Sequence, residues 1–200
     1  MEKTDKSLID AHLKGDPIAF GELVRRHGDS LLGYLIRICG NREQAKDLFQ
    51  ETFKRVHEKA HTLRGNQFKG WLYTIATRIA MDCFRKGNRL RVVSLNQKLY
   101  CDGENCRQLD AVVVTEKSDD PSEEAVKSER KKLVRQAVKS LPDRQRVTLV
   151  LAYYQALSYR EVAAILGCSV GTVKTQISRA LRTLAHKLPD VLGIEKWTVI

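Results

Sequence analysis

Apolar residues recur along this chain at intervals of three and four rather than two, and wherever the pattern is strong it predicts helix. Asp16-Pro17 reads as a cap followed by a first-turn proline, after which Ile18, Phe20, Leu23 and Val24 fall at near-helical spacing. A second helix is expected through Leu31, Leu32, Leu35, Ile36 and Ile38, with Gly40 to stop it. Asn41 caps a third, whose buried stripe is Ala45, Leu48, Phe49, Thr52, Phe53 and Val56 and whose opposite stripe, Asp47, Gln50, Glu51 and Lys54, is polar and continuous. After a loop from Thr62 to Gln67, a fourth helix carries Trp71, Leu72, Ile75, Ala76, Ile79, Ala80 and Phe84 and runs into Arg85, Lys86, Gly87, Asn88 and Arg89. Glu129 to Ser140 forms a basic amphipathic helix. Leu141-Pro142-Asp143 breaks it, and another restarts through Val147, Leu149, Val150 and Leu151.

Residues 157–182, LSYREVAAILGCSVGTVKTQISRALR, read as a helix-turn-helix. Ser158 and Glu161 fit a capping box, and Val162, Ala163, Ile165 and Leu166 give one apolar face. Gly167 suits a left-handed stop, and Ser169 caps the next helix. There Val173, Ile177, Ala180, Leu181 and Leu184 recur at helical intervals, which turns Thr172, Lys174, Thr175, Ser178, Arg179 and Arg182 outward. Hydroxyls, ammonium groups and guanidinium forks on one helix face suit groove reading and phosphate contact. An ordinary helical hairpin with a solvated basic face is the plainer alternative.

A formal charge of +11 and a pI near 9.6 draw the chain toward a polyanion, nucleic acid first and a membrane surface second. That charge is uneven. Cys101 to Glu124 holds eight acids (Asp102, Glu104, Asp110, Glu116, Asp119, Asp120, Glu123, Glu124) against Arg107 and Lys117, so the remainder carries +17. The expected organisation is all-α, with two small helical domains at 1–90 and 125–188 joined by an acidic flexible linker at 91–124 and followed by a tail at 189–200. Within the linker, Val112, Val113, Val114 and Thr115 would suit a short strand, although the surrounding polarity favours an extended segment. No apolar run approaches the ~20 residues that span a bilayer, and MEKTDKSLID lacks the apolar stretch of a signal peptide, so a cytoplasmic protein is expected. The five cysteines, odd in number and mostly isolated, suggest reduced thiols.

Four segments in order, AFGELVRRHGDSLLGYL, AKDLFQETFKRVH, FKGWLYTIATRIAMDCFRK and LPDRQRVTLVLAYYQALSYREVAAILGCSVGTVKTQISRAL, resemble the extracytoplasmic-function (ECF) sigma factors, the small two-domain specificity subunits of bacterial RNA polymerase. The resemblance covers most of the chain. It implies a region 2 fold of four helices and a region 4 helix-turn-helix, with no catalytic residue, cofactor or metal. It implies that Asp47, Gln50, Glu51 and Lys54 dock on the β′ clamp of core polymerase, and that region 4 meets the β flap. The fourth helix and its preceding loop would recognise and melt the −10 element, through Arg64, Asn66, Gln67, Tyr73, Thr74, Arg78 and Arg85. Thr172, Lys174, Thr175, Ser178, Arg179 and Arg182 would read the −35 element in the major groove of promoter DNA. The linker would thread toward the RNA exit channel, and an anti-sigma factor, often membrane-anchored, would sequester the protein. At Arg78 the family commonly has a shorter amide; a guanidinium prefers guanine edges or phosphate, which changes the base read there. Trp71 is better suited to the core than to base stacking.

Two other functions compete. His57, Glu58 and His61 in HEKAH satisfy the zincin spacing, but the motif falls where a helix ends in a charged loop and no third ligand follows. Cys101 and Cys106 are two ligands at most, short of a tetrahedral site. A DNA-binding activator would share the C-terminal motif, yet it needs a ligand pocket or a phosphoacceptor domain of alternating strands and helices, and neither pattern is present. The tail, with Val191, Leu192, Ile194, Trp197, Val199 and Ile200, is more apolar than a solvated end needs, which suggests packing on the C-terminal domain or an interaction segment.

Overall fold

A computed structural model describes residues 3–65, 67–93 and 121–188, with the backbone alone for 88–93 and 121–128. Among the described residues there is helix and no strand. The valine run at 112–115, Cys101, Cys106, Asn66 and the apolar tail lie outside them.

The N-terminal body holds four helices. Sequence patterning overlooked α1 (Asp5–Leu13), which is short and buries only Leu8 and Ile9; the Thr4 side chain caps it by accepting from the Ser7 N–H. In α2 (Pro17–Cys39) the two helices expected on either side of the polar stretch from Arg25 to Ser30 are one. The reason is that the polar side chains are satisfied without breaking the helix. Arg26 and His27 reach Asp5 of α1 at 2.9 and 2.8 Å, and Gly28 is buried beside the Phe49 ring. Asp16 caps the start, and Gly40, at φ 67°, closes the end by donating to the Ile36 carbonyl. Asn41 then caps α3 (Arg42–Lys59) through the N–H groups of Glu43 and Gln44. A single 3-10 turn at Ala60–Thr62 leads to α4 (Phe68–Val93). Helices α2, α3 and α4 pack on one another around Leu23, Leu31, Leu35, Leu48, Val56, Leu72 and Ala76, all buried.

The C-terminal body begins with α5 (Pro121–Lys139), which starts upstream of the expected Glu129. Pro142 then permits α6 (Asp143–Leu149), and the helix widens into a π-turn at Val150–Tyr154. Ala156, at φ 51°, is the only non-glycine in the left-handed region among the described residues, a conformation costing about 1–2 kcal/mol for a residue with a Cβ. Helices α7 (Tyr159–Leu166) and α8 (Val170–Lys187) follow. Both α6 and α7 pack against α8.

The two bodies touch. α7 lies on α4, and α5, α6 and the π-turn lie on α2. Arg146 of α6 is 8% exposed and spends its guanidinium on four acceptors: the carbonyls of Ile38, Lys139 and Leu141 at 2.7, 3.0 and 2.9 Å, and the Asp143 carboxylate at 2.6 Å. The Ile38 carbonyl belongs to the last turn of α2, where helix carbonyls lack internal partners and carry the negative end of the dipole. Phe84 of α4 offers its ring face to the same guanidinium at 5.4 Å.

Candidate polymerase and nucleic-acid interfaces

The outer stripe of α3 is as the sequence pattern predicts. Asp47, Gln50 and Lys54 are exposed and Glu51 is half-buried, while Leu48, Thr52, Phe53 and Val56 face inward. Glu51 is held by Arg55 at 2.8 Å, an intrahelical pair that leaves the stripe open to solvent. Thr52 avoids an unpaired buried hydroxyl by donating to the Leu48 carbonyl at 2.6 Å.

Along α4 and the loop before it, the candidate residues divide. Arg64, Gln67, Arg78 and Arg85 are exposed, and Arg85 pairs with Asp82 one turn back. Thr74 is half-buried, with its hydroxyl donated to the Gly70 carbonyl at 2.8 Å. Trp71 is half-buried and packs against Phe68 with ring centroids 6.0 Å apart, in keeping with a core position. Tyr73 differs from expectation: it is 1% exposed, so in this arrangement its ring cannot stack on a base. Its face of α4 is covered by the C-terminal body. The ring meets Tyr34 edge-on at 5.2 Å, and its hydroxyl donates to the Gln155 carboxamide oxygen at 2.5 Å and lies 2.9 Å from the Ser30 hydroxyl. Burial first, tempered by the Ser30 hydrogen bond, holds the phenol above its ordinary pKa, so it is neutral and able to donate.

The C-terminal motif is assembled by caps. Ser158 accepts from the Glu161 N–H at 3.3 Å, and Glu161 returns a carboxylate oxygen to the Ser158 N–H at 2.8 Å. The Ser158 hydroxyl also donates to that carboxylate at 2.6 Å, and this side-chain bond first and the Ser158 N–H second hold the Glu161 carboxyl below its usual pKa. Gly167, at φ 63°, ends α7, and Ser169 starts α8 by accepting from the Thr172 N–H at 3.1 Å. Val173, Ile177, Ala180 and Leu184 are buried; Leu181, expected among them, sits at the rim with 36% exposure. Lys174, Thr175, Ser178, Arg179 and Arg182 together line one shallow open depression on the outer face. Thr172 stands at its N-terminal edge, exposed, its hydroxyl 2.9 Å from that of Ser169. Five polar donors with three full positive charges on one exposed helix face can bind phosphate oxygens and base edges.

The HEKAH motif dissolves on inspection. α3 ends at Lys59, so His57 is helical while His61 lies in the 3-10 turn, and the one-turn register that zinc requires is lost. The His57 ring packs instead on His12 and Phe20, with centroids 4.9 and 5.5 Å away. Among the described residues no three His, Cys, Asp or Glu side chains gather so as to hold a metal ion, and no helix is long and apolar enough to cross a membrane. The sequence reading missed the residues joining the two bodies: Ser30, Arg146 and Gln155. Only Arg146 gave a signal, a guanidinium directly ahead of the apolar positions Val147, Leu149, Val150 and Leu151.

Two compact helical bodies, the second ending in a helix-turn-helix with a basic outer face, define a DNA-binding regulator, and comparison with known proteins names its kind. The family profile described as Sigma-70 region 2 matches residues 23–90, and that described as Sigma-70 region 4 matches residues 131–184. The ECF RNA polymerase sigma factor SigW of Bacillus subtilis is 32% identical over 96% of this chain and 100% of its own length. The ECF RNA polymerase sigma factor SigE of Mycolicibacterium smegmatis is 32% identical over 94% of this chain and 68% of its own. The fold is shared with CnrH, solved in complex with the cytosolic domain of CnrY (TM-score 0.63, 23% identity, covering 94% of this chain and 98% of that one). It is shared too with the sigma factor RpoE of Bartonella quintana, solved with the anti-sigma factor NepR (TM-score 0.66, 24% identity, covering 86% and 97%). The chain belongs to the ECF family of RNA polymerase sigma factors, which are regulatory specificity subunits rather than catalysts.

Proposed function

We propose that this protein joins core RNA polymerase and directs it to promoters by holding the −35 element with the C-terminal body and opening the −10 element with the N-terminal one. The observation that carries the reading is the pair of open polar faces on separate bodies. The depression of Lys174, Thr175, Ser178, Arg179 and Arg182 suits a major groove, and the stripe of Asp47, Gln50, Glu51 and Lys54 suits a protein partner, the β′ clamp. Arg64, Gln67, Arg78 and Arg85 supply exposed donors along and before α4 for the non-template strand, half-buried Thr74 and the loop residue Asn66 are further candidates, and Tyr73 is covered in this arrangement. Opening DNA in this way needs no nucleophile. Contacts to an unstacked base and to the single strand offset the cost of breaking pairs.

Domain limits at 1–90, 91–124, 125–188 and 189–200 follow from this division of labour, with region 4 also meeting the β flap and the acidic linker passing toward the RNA exit. Because CnrH and the Bartonella RpoE are each solved with a bound protein partner, an anti-sigma factor, soluble or membrane-anchored, is the regulator to seek. The protein would act in the cytoplasm with the polymerase. Run-off transcription with purified core polymerase on a genomic fragment library tests the reading. New start sites should arise only when both components are present, and transcript patterns indifferent to the added protein would remove it.

A further inference from the structure

We infer that Cys39 and Cys83 are a redox-active pair, a dithiol that a hydroperoxide oxidises to a disulfide joining α2 to α4. Neither residue is among those assigned to polymerase or promoter DNA.

Helix register brings the two thiols together. Ser30 and Tyr73 meet through their hydroxyls at 2.9 Å, and Tyr34 and Thr77 through theirs at 2.7 Å. Both pairs are 43 residues apart, so α2 and α4 run side by side in the same direction with a fixed offset. Buried Ala76 and Ala80, on the inward face of α4, let the axes come close, because interaxial distance follows the size of the side chains between them. Carried one turn further, the offset sets the end of α2 against the stretch around Cys83. There the Ile38 carbonyl and the Phe84 ring meet the same Arg146 guanidinium, at 2.7 and 5.4 Å. Cys39 and Cys83, 44 residues apart, are the immediate neighbours of those two residues, and a negative charge on Cys83 is felt at Cys39.

Both are free thiols and both are half-buried, so a small oxidant can reach the pair. Their surroundings differ. Gln44, in the first turn of α3, donates its carboxamide N–H to the Cys83 sulfur at 3.2 Å and so orients it. At Cys39, burial first and Cys83 second push the thiol up to about 12 against the opposing pull of Arg146, so it rests protonated. The roles follow from this difference. The Cys83 sulfur, on losing its proton, attacks one oxygen of the peroxide. The O–O bond breaks, the leaving oxygen takes up a proton as water or an alcohol, and Cys83 becomes a sulfenic acid. The Cys39 sulfur then attacks the Cys83 sulfur: the S–S bond forms, the S–O bond breaks, and the departing hydroxyl takes the Cys39 proton as water. Two thiols have then given two electrons to one peroxide. In a reducing compartment such a bond is transient, and its use is sensing rather than stability.

The full-length reduced chain tests this. It is treated with tert-butyl hydroperoxide, its remaining thiols are blocked, and its tryptic peptides are read by mass spectrometry. Peptides 38–42 and 79–85, which carry Cys39 and Cys83, should appear joined and two hydrogens lighter than their sum. The link should form about tenfold faster than the half-buried Cys168 thiol is lost, and dithiothreitol should reverse it. In Cys39→Ser the reaction should stall at a Cys83 sulfenic acid captured by dimedone, whereas in Cys83→Ser the Cys39 thiol should persist. Circular dichroism checks that both variants fold, and if either does not, the wild-type peptides decide. A wild type in which Cys83 passes to sulfinic acid while Cys39 stays free overturns the pair, as does a link from Cys83 to Cys101, Cys106 or Cys168. Loss of Cys39 and Cys168 thiols at equal rates overturns it too.

Discussion

Tyr73 and Gln155, 82 residues apart in the chain, meet through a 2.5 Å hydrogen bond from phenol to carboxamide, and that bond joins the helix assigned to DNA opening to the body assigned to duplex binding. A tyrosine at a helical position next to Leu72 carries no mark distinguishing a base-stacking ring from an interdomain donor. Its partner decides, and the partner is set by a bend in the backbone far along the chain.

Arg146→Met should lower the stability of the chain by about 3–5 kcal/mol, because the guanidinium serves three carbonyls and a carboxylate in a buried place, and its removal leaves them without a donor. Urea denaturation followed by circular dichroism measures this. A change of under about 1 kcal/mol would mean that water replaces the guanidinium without cost.

Ser158→Ala should cost about 1 kcal/mol by removing the cap of α7. Glu161, whose carboxyl is held below its usual pKa, stabilises the fold above the ordinary carboxylate range, and that contribution fades as the pH falls through its lowered value. Thermal melts of Glu161→Gln should therefore show a weaker acid dependence than wild type; equal slopes would contradict the assignment.

Alkaline pH should destabilise the folded chain. Burial, reinforced by the nearby Cys83, pushes the Cys39 thiol up to about 12, and burial likewise raises Tyr34 and Tyr73. In the unfolded chain these groups ionise near their ordinary values of about 8.5 for a thiol and 10 for a phenol. The contribution of these groups should be level up to about pH 8.5 and decline above it, since the unfolded state loses protons first. Denaturation midpoints for Cys39→Ala should start lower yet fall less between about pH 8.5 and 10. A slope identical to wild type would place the titration elsewhere.

Arg179→Ala should weaken promoter binding by the holoenzyme and, where the side chain meets phosphate, reduce the slope of log affinity against log salt by about 0.9. Should Arg179 instead read a guanine, the loss should be about 1–3 kcal/mol and confined to promoters with that base. Anisotropy titrations over a salt series and a promoter panel separate the two. Wild-type affinity throughout would take Arg179 out of the interface.

How much was legible follows from the range of each interaction. The caps at Asp16, Asn41, Ser158 and Ser169 act over two or three residues, so their partners stand beside them in the sequence. The outer faces of α3 and α8 were legible for a similar reason: helical periodicity fixes which side chains share a face. The continuity of α2 was not, because the polar stretch around Arg26 and His27 looked like a break until Asp5 of an unforeseen helix took up both. For HEKAH the sequence already places a helix end at the motif, and α3 stops at Lys59, inside it.

By itself the sequence determined two helical bodies with a capped helix-turn-helix, a basic outer face on its second helix and a polar outer stripe on α3, since each of these depends on neighbours within about one or two turns of helix. Only the tertiary structure decided that Tyr73 is covered, that Arg146 clasps the end of α2 and that Gln155 holds the two bodies together. Those outcomes rest on donors and acceptors brought together by packing from distant parts of the chain, and no local periodicity encodes such a meeting.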